Sequence, residues 1–347
     1  MRPNFNFGAT VSEDNNLILW PTEGKRIALV DGDMIPYIIG YTINEMTLIR
    51  ALTRVKSGQV ERIEDTPECK NACDRVNSML NSWVYGAECD AARIFLTKSD
   101  ANFRLRLAFT KPYKGTRKSE KPPFFYEMRE HLMRVHNAEL ADGEEADDLM
   151  SIAQWGAHRR FLAETGNEFE VGGIEHKLFS DTVIVSADKD LMIVPGWHLQ
   201  PGSEMKWVDQ MGWLDLRRKA NGQVKDLKGA GLKFFYAQMI IGDDIDNYAG
   251  IPGRGAKYAY DLLDKCKTEK ELYMAVLGAY KAKFGHGSVV LKNHRGSTLV
   301  GKAFDLMLEC GRLAHMARFK GDVWRADKNP VLWGDSDQWQ PNSKPLK

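Results

Sequence analysis

Short apolar runs alternate along this chain with longer segments whose apolar residues recur at helical spacing. Ile27-Ala28-Leu29-Val30 is continuously apolar and stops at Asp31-Gly32-Asp33. That is the pattern of a strand buried on both faces, with acids at its carboxyl end. Residues 92–96 and 182–186 read the same way, and the second run ends in Ala187-Asp188-Lys189-Asp190. A further short strand fits residues 17–20. Residues 34–53, 66–88 and 124–135 are apolar at helical spacing, as are 234–241, 258–263, 271–280 and 303–318. Strands alternating with helices predict an α/β fold with a mainly parallel central sheet flanked by helices. In such sheets, sites lie at the carboxyl ends of the strands. Residues 195–230 read as irregular, with Trp197, Trp207 and Trp213 as packing residues, and 281–295 reads as a basic loop. The tail after Asp327 reads as irregular too.

The acidic stretch at 144–148 changes this picture. Glu144, Glu145, Asp147 and Asp148 are followed by Leu149, Met150, Ile152, Ala153 and Trp155, an apolar helix-forming segment. Asp142 stands three residues before Glu145, as in a capping box, and an acidic first turn suits the helix dipole. On a helix Glu145 and Asp148 share a face, with Asp147 about 100° round from Asp148. Taken alone, the stretch is an ordinary solvated helix start. Taken with Asp31, Asp188, Asp190, Asp243 and Asp246, it is one of several distant segments that end in closely spaced carboxylates. Acids that converge repel one another unless a cation sits among them. An all-oxygen ligand set selects a hard cation, Mg²⁺ or Mn²⁺. Two such ions about 3.5–4 Å apart serve in-line cleavage of phosphodiesters.

Composition narrows the alternatives. At 347 residues the chain can bury a sizeable core, and 43% hydrophobic with 27% charged residues is ordinary for a soluble globular protein. The formal net charge is +1, so a polyanionic partner must be held by local patches. The five cysteines (Cys69, Cys73, Cys89, Cys266, Cys310) form neither a zinc pattern nor a disulfide scaffold and read as reduced, packed thiols. No apolar run reaches the length of a signal peptide core or a membrane span, which predicts a cytoplasmic protein.

Two further stretches bear on function. Residues 104–121 carry Arg104, Arg106, Lys111, Lys114, Arg117, Lys118 and Lys121 against Glu120 alone, with Phe103, Phe109, Tyr113, Phe124 and Phe125 in or beside the run. Cations track phosphate and rings stack on unpaired bases, so a basic arch over the carboxylates competes here with a plain surface loop. Lys114 and Arg117, three apart, suit one phosphate. Gly250-Ile251-Pro252-Gly253-Arg254-Gly255-Ala256-Lys257 lies between two helical segments. That order suits a tight helix-hairpin-helix turn, which offers backbone groups to a phosphate chain without reading sequence.

The motifs Val30-Asp31-Gly32-Asp33, Tyr113-Lys114-Gly115-Thr116-Arg117, Glu145-Ala146-Asp147-Asp148, Ser186-Ala187-Asp188-Lys189-Asp190, Gly242-Asp243 with Asp246-Asn247, and the glycine turn at 250–257 occur in one order. Together they resemble the flap endonuclease/5′-nuclease superfamily, and most closely the 5′→3′ exonucleases of tailed bacteriophages, over residues 27–263. The resemblance implies a PIN-like fold and a metal-dependent hydrolase acting on DNA 5′ ends and flaps, and in some members on RNA paired with DNA. It implies a viral role in replication or recombination, located in the host cytoplasm. By position, Asp31, Glu145, Asp147, Asp148, Asp188, Asp190, Asp243 and Asp246 would surround two Mg²⁺ ions, with Asp100 the nearest candidate for a further ligand. Lys114 and Arg117 match a basic pair that steadies the scissile phosphate. Tyr113, Arg104, Gly250, Gly253, Arg254, Gly255 and Lys257 fall where the family contacts DNA, and the glycine turn is where it can hold K⁺. Asp33 and Asp244 are additional acids without a counterpart. The implied organisation is an N-terminal arm (1–25), an α/β nuclease domain (26–230) whose basic arch spans about 100–135, a helix-hairpin-helix region (231–265) and a C-terminal helical region with tail (266–347). A non-catalytic DNA-binding protein of the same fold, or a PIN-type ribonuclease, are the other readings.

Overall fold

The computed structural model describes residues 26–116, 120–165, 172–173, 176–177 and 180–325. The strand expected at 17–20 and the tail after Asp327 lie outside them.

Strand β1 (Ile27–Asp31) is buried at every position. It runs parallel to β2 (Ala91–Asn102) on one side and to β4 (Thr182–Val185) on the other. With β3 (Glu139–Gly143), β5 (Gly196–Leu199) and β6 (Lys206–Val208) these form a six-stranded sheet in the order β3-β2-β1-β4-β5-β6, parallel except for the edge pair β5–β6. Alternate residues point to opposite faces of a strand. Accordingly Ala28, Val30, Ile94, Leu96, Val183 and Val185 share one core with α1 (Met34–Gly40), α2 (Glu45–Lys56), α3 (Pro67–Gly86) and α5 (Phe125–Val135). Ile27, Leu29, Phe95 and Ile184 meet α6 (Ala146–Thr165) on the other face through Ala146, Met150 and Ala153. The one-turn helix α4 (Arg104–Leu107) follows β2. The fold is thus mixed α/β with a mostly parallel sheet between helices.

A third core gathers the C-terminal half. Helices α7 (Gly231–Ile241), α8 (Ala256–Leu263), α9 (Glu269–Phe284) and α10 (Ala303–Ala314) pack around Tyr236, Tyr273, Tyr280 and Met307. Between α7 and α8 the chain makes the short ladder β9 (Gly242–Asp243) with β10 (Tyr248–Ala249), then the turn at 250–255. A Cβ on Gly250 would stand 2.2 Å from the carbonyl oxygen of Ile240, and Gly253 has φ +78°, so each needs glycine for a different reason.

Several local expectations are corrected. Residues 34–53 are not one helix: the chain breaks after Gly40, and Asn44 restarts it by accepting a hydrogen bond from the Met46 N–H at 2.9 Å. Asp142 is no helix cap. It lies in β3, exposed, with Lys98 Nζ 3.2 Å away. Residues 195–230 hold β5, β6 and the hairpin β7 (Leu214–Arg218) with β8 (Val224–Gly229). The basic loop contains β11 (Val289–Lys292), paired with β12 (Thr298–Gly301). Helix α10 stops at Ala314. All five cysteines are free thiols, and no helix among the described residues is long and apolar enough to cross a membrane.

One buried histidine gives this fold a pH dependence. His198 on β5 is 3% exposed, and its Nε2 lies 2.7 Å from the carbonyl oxygen of Val194. Burial pushes its pKa down to about 4 from an ordinary 6.5. The unfolded chain therefore takes up a proton below pH 6.5 that the folded one refuses until about 4, so stability falls with pH through that window. The stability of the protein minus that of His198→Gln should drop by about 3 kcal/mol between pH 6.5 and 4. Denaturant titrations giving the same difference at both pH values would refute this.

Candidate active site

The carboxyl ends of β1 and β4 are neighbours in the sheet, which brings Asp31 beside Ser186. Ser186 donates its hydroxyl to Asp31 Oδ2 at 2.9 Å and accepts the Asp188 N–H at 2.9 Å. Asp188 in turn accepts the Asp190 N–H at 2.8 Å, which starts the 3₁₀ turn Asp190–Ile193. The first turn of α6 supplies Asp147. The repulsion among these groups shows in their protonation. Burial first, then Asp33 and Asp188, raise Asp31 to about 7. Burial and then Asp188 raise Asp190 to about 7. Burial, Asp188 and Asp31 hold Asp147 well above the carboxylate range. Asp31, Asp147, Asp188 and Asp190 therefore share one basin.

A second group of acids borders it and is balanced by cations. Asp243, at the end of α7, accepts the N–H groups of Ile245 at 2.7 Å and Asp246 at 2.9 Å, and Lys189 Nζ at 2.7 Å. Against the cost of burial, Lys189 and these amides hold its pKa low. Lys114 contacts Glu145 and lies 3.9 Å from Asp246. Although burial opposes its charge, Glu145, Asp246 and Asp147 raise its pKa. Lys114 itself takes the left-handed conformation, φ +53°, fixed by its N–H on the Asp246 carbonyl at 2.9 Å. Strain at such a position persists only where the surroundings impose it.

Two sequence assignments are corrected by burial. Arg104 was expected at a DNA surface and Asp148 among the metal ligands. Arg104 is 1% exposed and Asp148 0%. The guanidinium grips both Asp148 oxygens, at 2.5 and 2.8 Å, and reaches Glu145 at 3.1 Å. Its remaining N–H groups donate to the carbonyls of Leu313 at 3.1 Å and His315 at 2.5 Å. Asp148 also accepts the Glu145 and Ala317 N–H groups, each at 3.1 Å. Its lone pairs are used, so Asp148 is a structural acid with no ligand capacity to spare. Despite burial, Arg104 keeps it ionised well below the ordinary range. Tyr113, also expected to meet DNA, is 4% exposed, and its hydroxyl lies 2.9 Å from Glu145 and 2.8 Å from Asp246.

The other candidates fall as follows. Asp33 bonds the Thr97 N–H at 2.9 Å and pairs with Arg129, tying β1 to β2 and α5. Asp244 is exposed. Asp100 lies in β2, its side chain outside the described residues, as is Arg117. Pro252, Gly253, Arg254 and Gly255 are exposed on the turn, with the Arg254 guanidinium 4.5 Å from the Tyr258 ring centroid. Lys257 is paired with Asp261. Sequence reasoning missed Ser186 as the link between Asp31 and Asp188, and Gln238, a buried amide on α7 that bonds Asp190. Neither leaves a pattern in the chain. An amide inside an otherwise apolar helix was the available signal for Gln238.

The basin's donors are all oxygen and mutually repelling, which fits a hard divalent cation and no softer one. Among the described residues no three His, Cys, Asp or Glu side chains stand where they could hold one ion together.

No family model matches the chain, and no curated protein matches it. Solved structures from bacteriophage T5 do. The T5 D15 protein co-crystallised with metal ions matches 83% of this chain and 88% of that one, at 13% identity and TM-score 0.41. T5 5′-exonuclease with bound zinc ions matches 73% and 88%, at 15% identity and TM-score 0.37. A T5 flap endonuclease pseudo-enzyme-product complex with DNA and metal ions matches 83% and 98%, at 14% identity and TM-score 0.37.

Replacing Arg104 by Met keeps the volume but leaves Asp148 buried without its cation and Glu145 with Lys114 alone. Removing one partner of a buried pair costs about 3–5 kcal/mol. R104M should lose stability on that scale in urea titrations. A loss no larger than that of a surface arginine such as Arg134→Met would refute the assignment.

Proposed function

We propose that this protein is a metal-dependent nuclease that hydrolyses DNA at 5′ ends and 5′ flaps. It would use two Mg²⁺ ions, with Mn²⁺ able to replace them. The observation that carries the reading is the meeting of Asp31, Asp147, Asp188 and Asp190 in one basin, where burial and mutual repulsion raise the pKa of Asp31, Asp147 and Asp190. A surface that only bound DNA would gain nothing from gathering acids against a phosphate chain.

In this reading the four aspartates hold the ions, with Glu145, Asp243 and Asp246 on the rim. Bound there, divalent ions lower the pKa of a water and stabilise the departing 3′ oxygen. The chain's own residues do the rest. Ser186 and the Asp33 N–H fix the Asp31 carboxylate, the first donating to Oδ2 at 2.9 Å and the second to Oδ1 at 3.1 Å. Lys114, charged and partly exposed, places a cation where negative charge grows on the phosphoryl oxygens. Arg117 is the second cation of this proposal. The exposed turn at 252–255 meets duplex backbone and holds register without reading bases, with K⁺ as its monovalent ion. Duplex seated there sets the distance to the 5′ end, and an RNA strand paired with DNA would present the same phosphates. The biological setting that follows is DNA replication or recombination in a virus, with removal of RNA primers.

One observation favours a second reading, a non-catalytic DNA-binding protein of this fold. Lys114 and Lys189 already balance Glu145 and Asp243, and no three side chains among the described residues are preset for one ion.

The test separates the two. Asp188 is exposed, so Asp188→Asn spares the core. With Mg²⁺ and a 5′-labelled flap, cleavage by D188N should fall to background while duplex binding persists. Lys114→Ala should slow the single-turnover rate about 10²-fold or more. Near-normal cleavage by D188N would end the metal reading, and an unchanged rate in K114A would make Lys114 a surface cation only.

A further inference from the structure

Glu309 lies beyond the last of the sequence motifs, half-buried on helix α10, which the C-terminal core holds in place through Phe304, Met307 and Leu308. Its carboxylate reaches the root of the basic segment. One oxygen, Oε1, accepts the N–H of Phe109 at 2.7 Å, the N–H of Thr110 at 2.7 Å and the Thr110 hydroxyl at 3.1 Å. Consecutive amides aimed at one anion form a small nest, and hydrogen bonds to an ionised acceptor are roughly twice as strong as neutral ones. The hairpin of β11 with β12 adds to the grip. His294 donates its backbone N–H to the Phe109 carbonyl at 3.2 Å, and its Nδ1 stands 3.0 Å from the same oxygen. Arg295 donates to the Leu105 carbonyl at 3.3 Å.

Residues 109–112 belong to neither a helix nor a strand, so no ladder of backbone bonds fixes them. Lys114 follows Thr110 by four residues. The far end of this span is tied to the segment after α7. Asn247 donates its amide N–H to the Pro112 carbonyl at 2.8 Å, and the Lys114 N–H donates to the Asp246 carbonyl at 2.9 Å. The span is thus held at two points, one on α10 and one on the rim of the acidic basin. Between them Lys114 keeps φ +53°, a conformation that persists only while its surroundings impose it.

We propose that Glu309 is a positioning residue for the reaction: by clamping Phe109 and Thr110 to α10 it fixes where the Lys114 ammonium stands beside the basin. The proposal rests on the nuclease reading, in which Lys114 meets the phosphate. Glu309 touches neither DNA nor metal and acts through Lys114. Helix α10 is a firm support for this task. Arg104 donates to the carbonyl of Leu313 at 3.1 Å, about one turn past Glu309 on the same helix. The ion pair that sets the start of α6, with Glu145 and Asp147, is therefore fastened to the helix that sets Lys114. Acids and cation are referred to one frame, and the clamp at Glu309 is the link that carries the cation. Without it the span turns about its remaining attachment, and the ammonium shifts relative to Glu145 and Asp246.

The test uses full-length protein, a 5′-labelled flap and Mg²⁺, with K114A as reference. Glu309→Ala should slow the single-turnover rate about tenfold while flap affinity stays within about twofold, the mark of a misplaced catalytic group. Glu309→Gln keeps an accepting oxygen at the same reach and should recover most of the rate. Adding E309A to K114A should slow cleavage no further, because residues that act through one group are not additive. A role in the fold alone would instead slow both backgrounds equally. Hydrogen exchange without metal or DNA reads the clamp itself: E309A should speed exchange across residues 109–115 and leave the central sheet as it was. If E309A does not fold, Glu309→Asp, which withdraws the acceptor by one methylene, takes its place in each measurement. An unchanged rate or unchanged exchange in E309A, or a double variant slower than K114A by the full factor, would overturn the proposal and leave the nuclease reading standing. An unaltered protein that cuts no flap would end both.

Discussion

The pairing of Arg104 with Asp148 is the constraint on which this architecture depends. Taking a guanidinium and a carboxylate out of water is costly unless each hydrogen-bonding group finds a partner. Here the arginine's N–H groups are met by Asp148, Glu145 and the carbonyls of Leu313 and His315. The aspartate is met by the arginine and the amides of Glu145 and Ala317. The pair joins α4, the start of α6 and the chain after α10, elements far apart in sequence. It also fixes the helix start that carries Glu145 and Asp147, so the geometry of the acids is set by a contact that touches no solvent.

Around that anchor the acids divide into two populations. Those bonded to cations or to several amides, Glu145, Asp148 and Asp243, keep their charge despite burial. Those that mainly face one another, Asp31, Asp147 and Asp190, are forced toward protonation. The first population is structural in its energetics. The second stores the electrostatic cost that a hard cation would relieve, which is why the two belong to different roles although the residue types are the same.

Much of the sheet was legible because buried parallel strands are continuous apolar runs. The segments 27–30, 92–96 and 182–185 all lie in strands, one residue short of expectation in the last, and the acids after them emerge at one edge. The strands inside 195–230 escaped because β6, β7 and β8 are short and partly exposed, and the buried β5 is only four residues long and starts at a glycine. The break at Gly40 escaped because apolar spacing continues across it, while Asn44 and the close approach of Pro122 to Gly40 decide the geometry. Spacing could gather the acids but could not sort them. Asp147 and Asp148 are adjacent, yet helix rotation sends one into the basin and the other to Arg104. The basic composition around Arg104 likewise carried no sign that this one cation turns inward, since its partners at 313–317 lie some two hundred residues away.

That long reach has a consequence for biosynthesis. The carbonyls of Leu313 and His315 and the amide of Ala317 complete the coordination of Arg104 and Asp148. A chain still on the ribosome lacks those partners until residues 313–317 have emerged, long after Arg104 and Asp148. Closure of the interior around this ion pair therefore waits for residues that follow Arg104 by some two hundred positions.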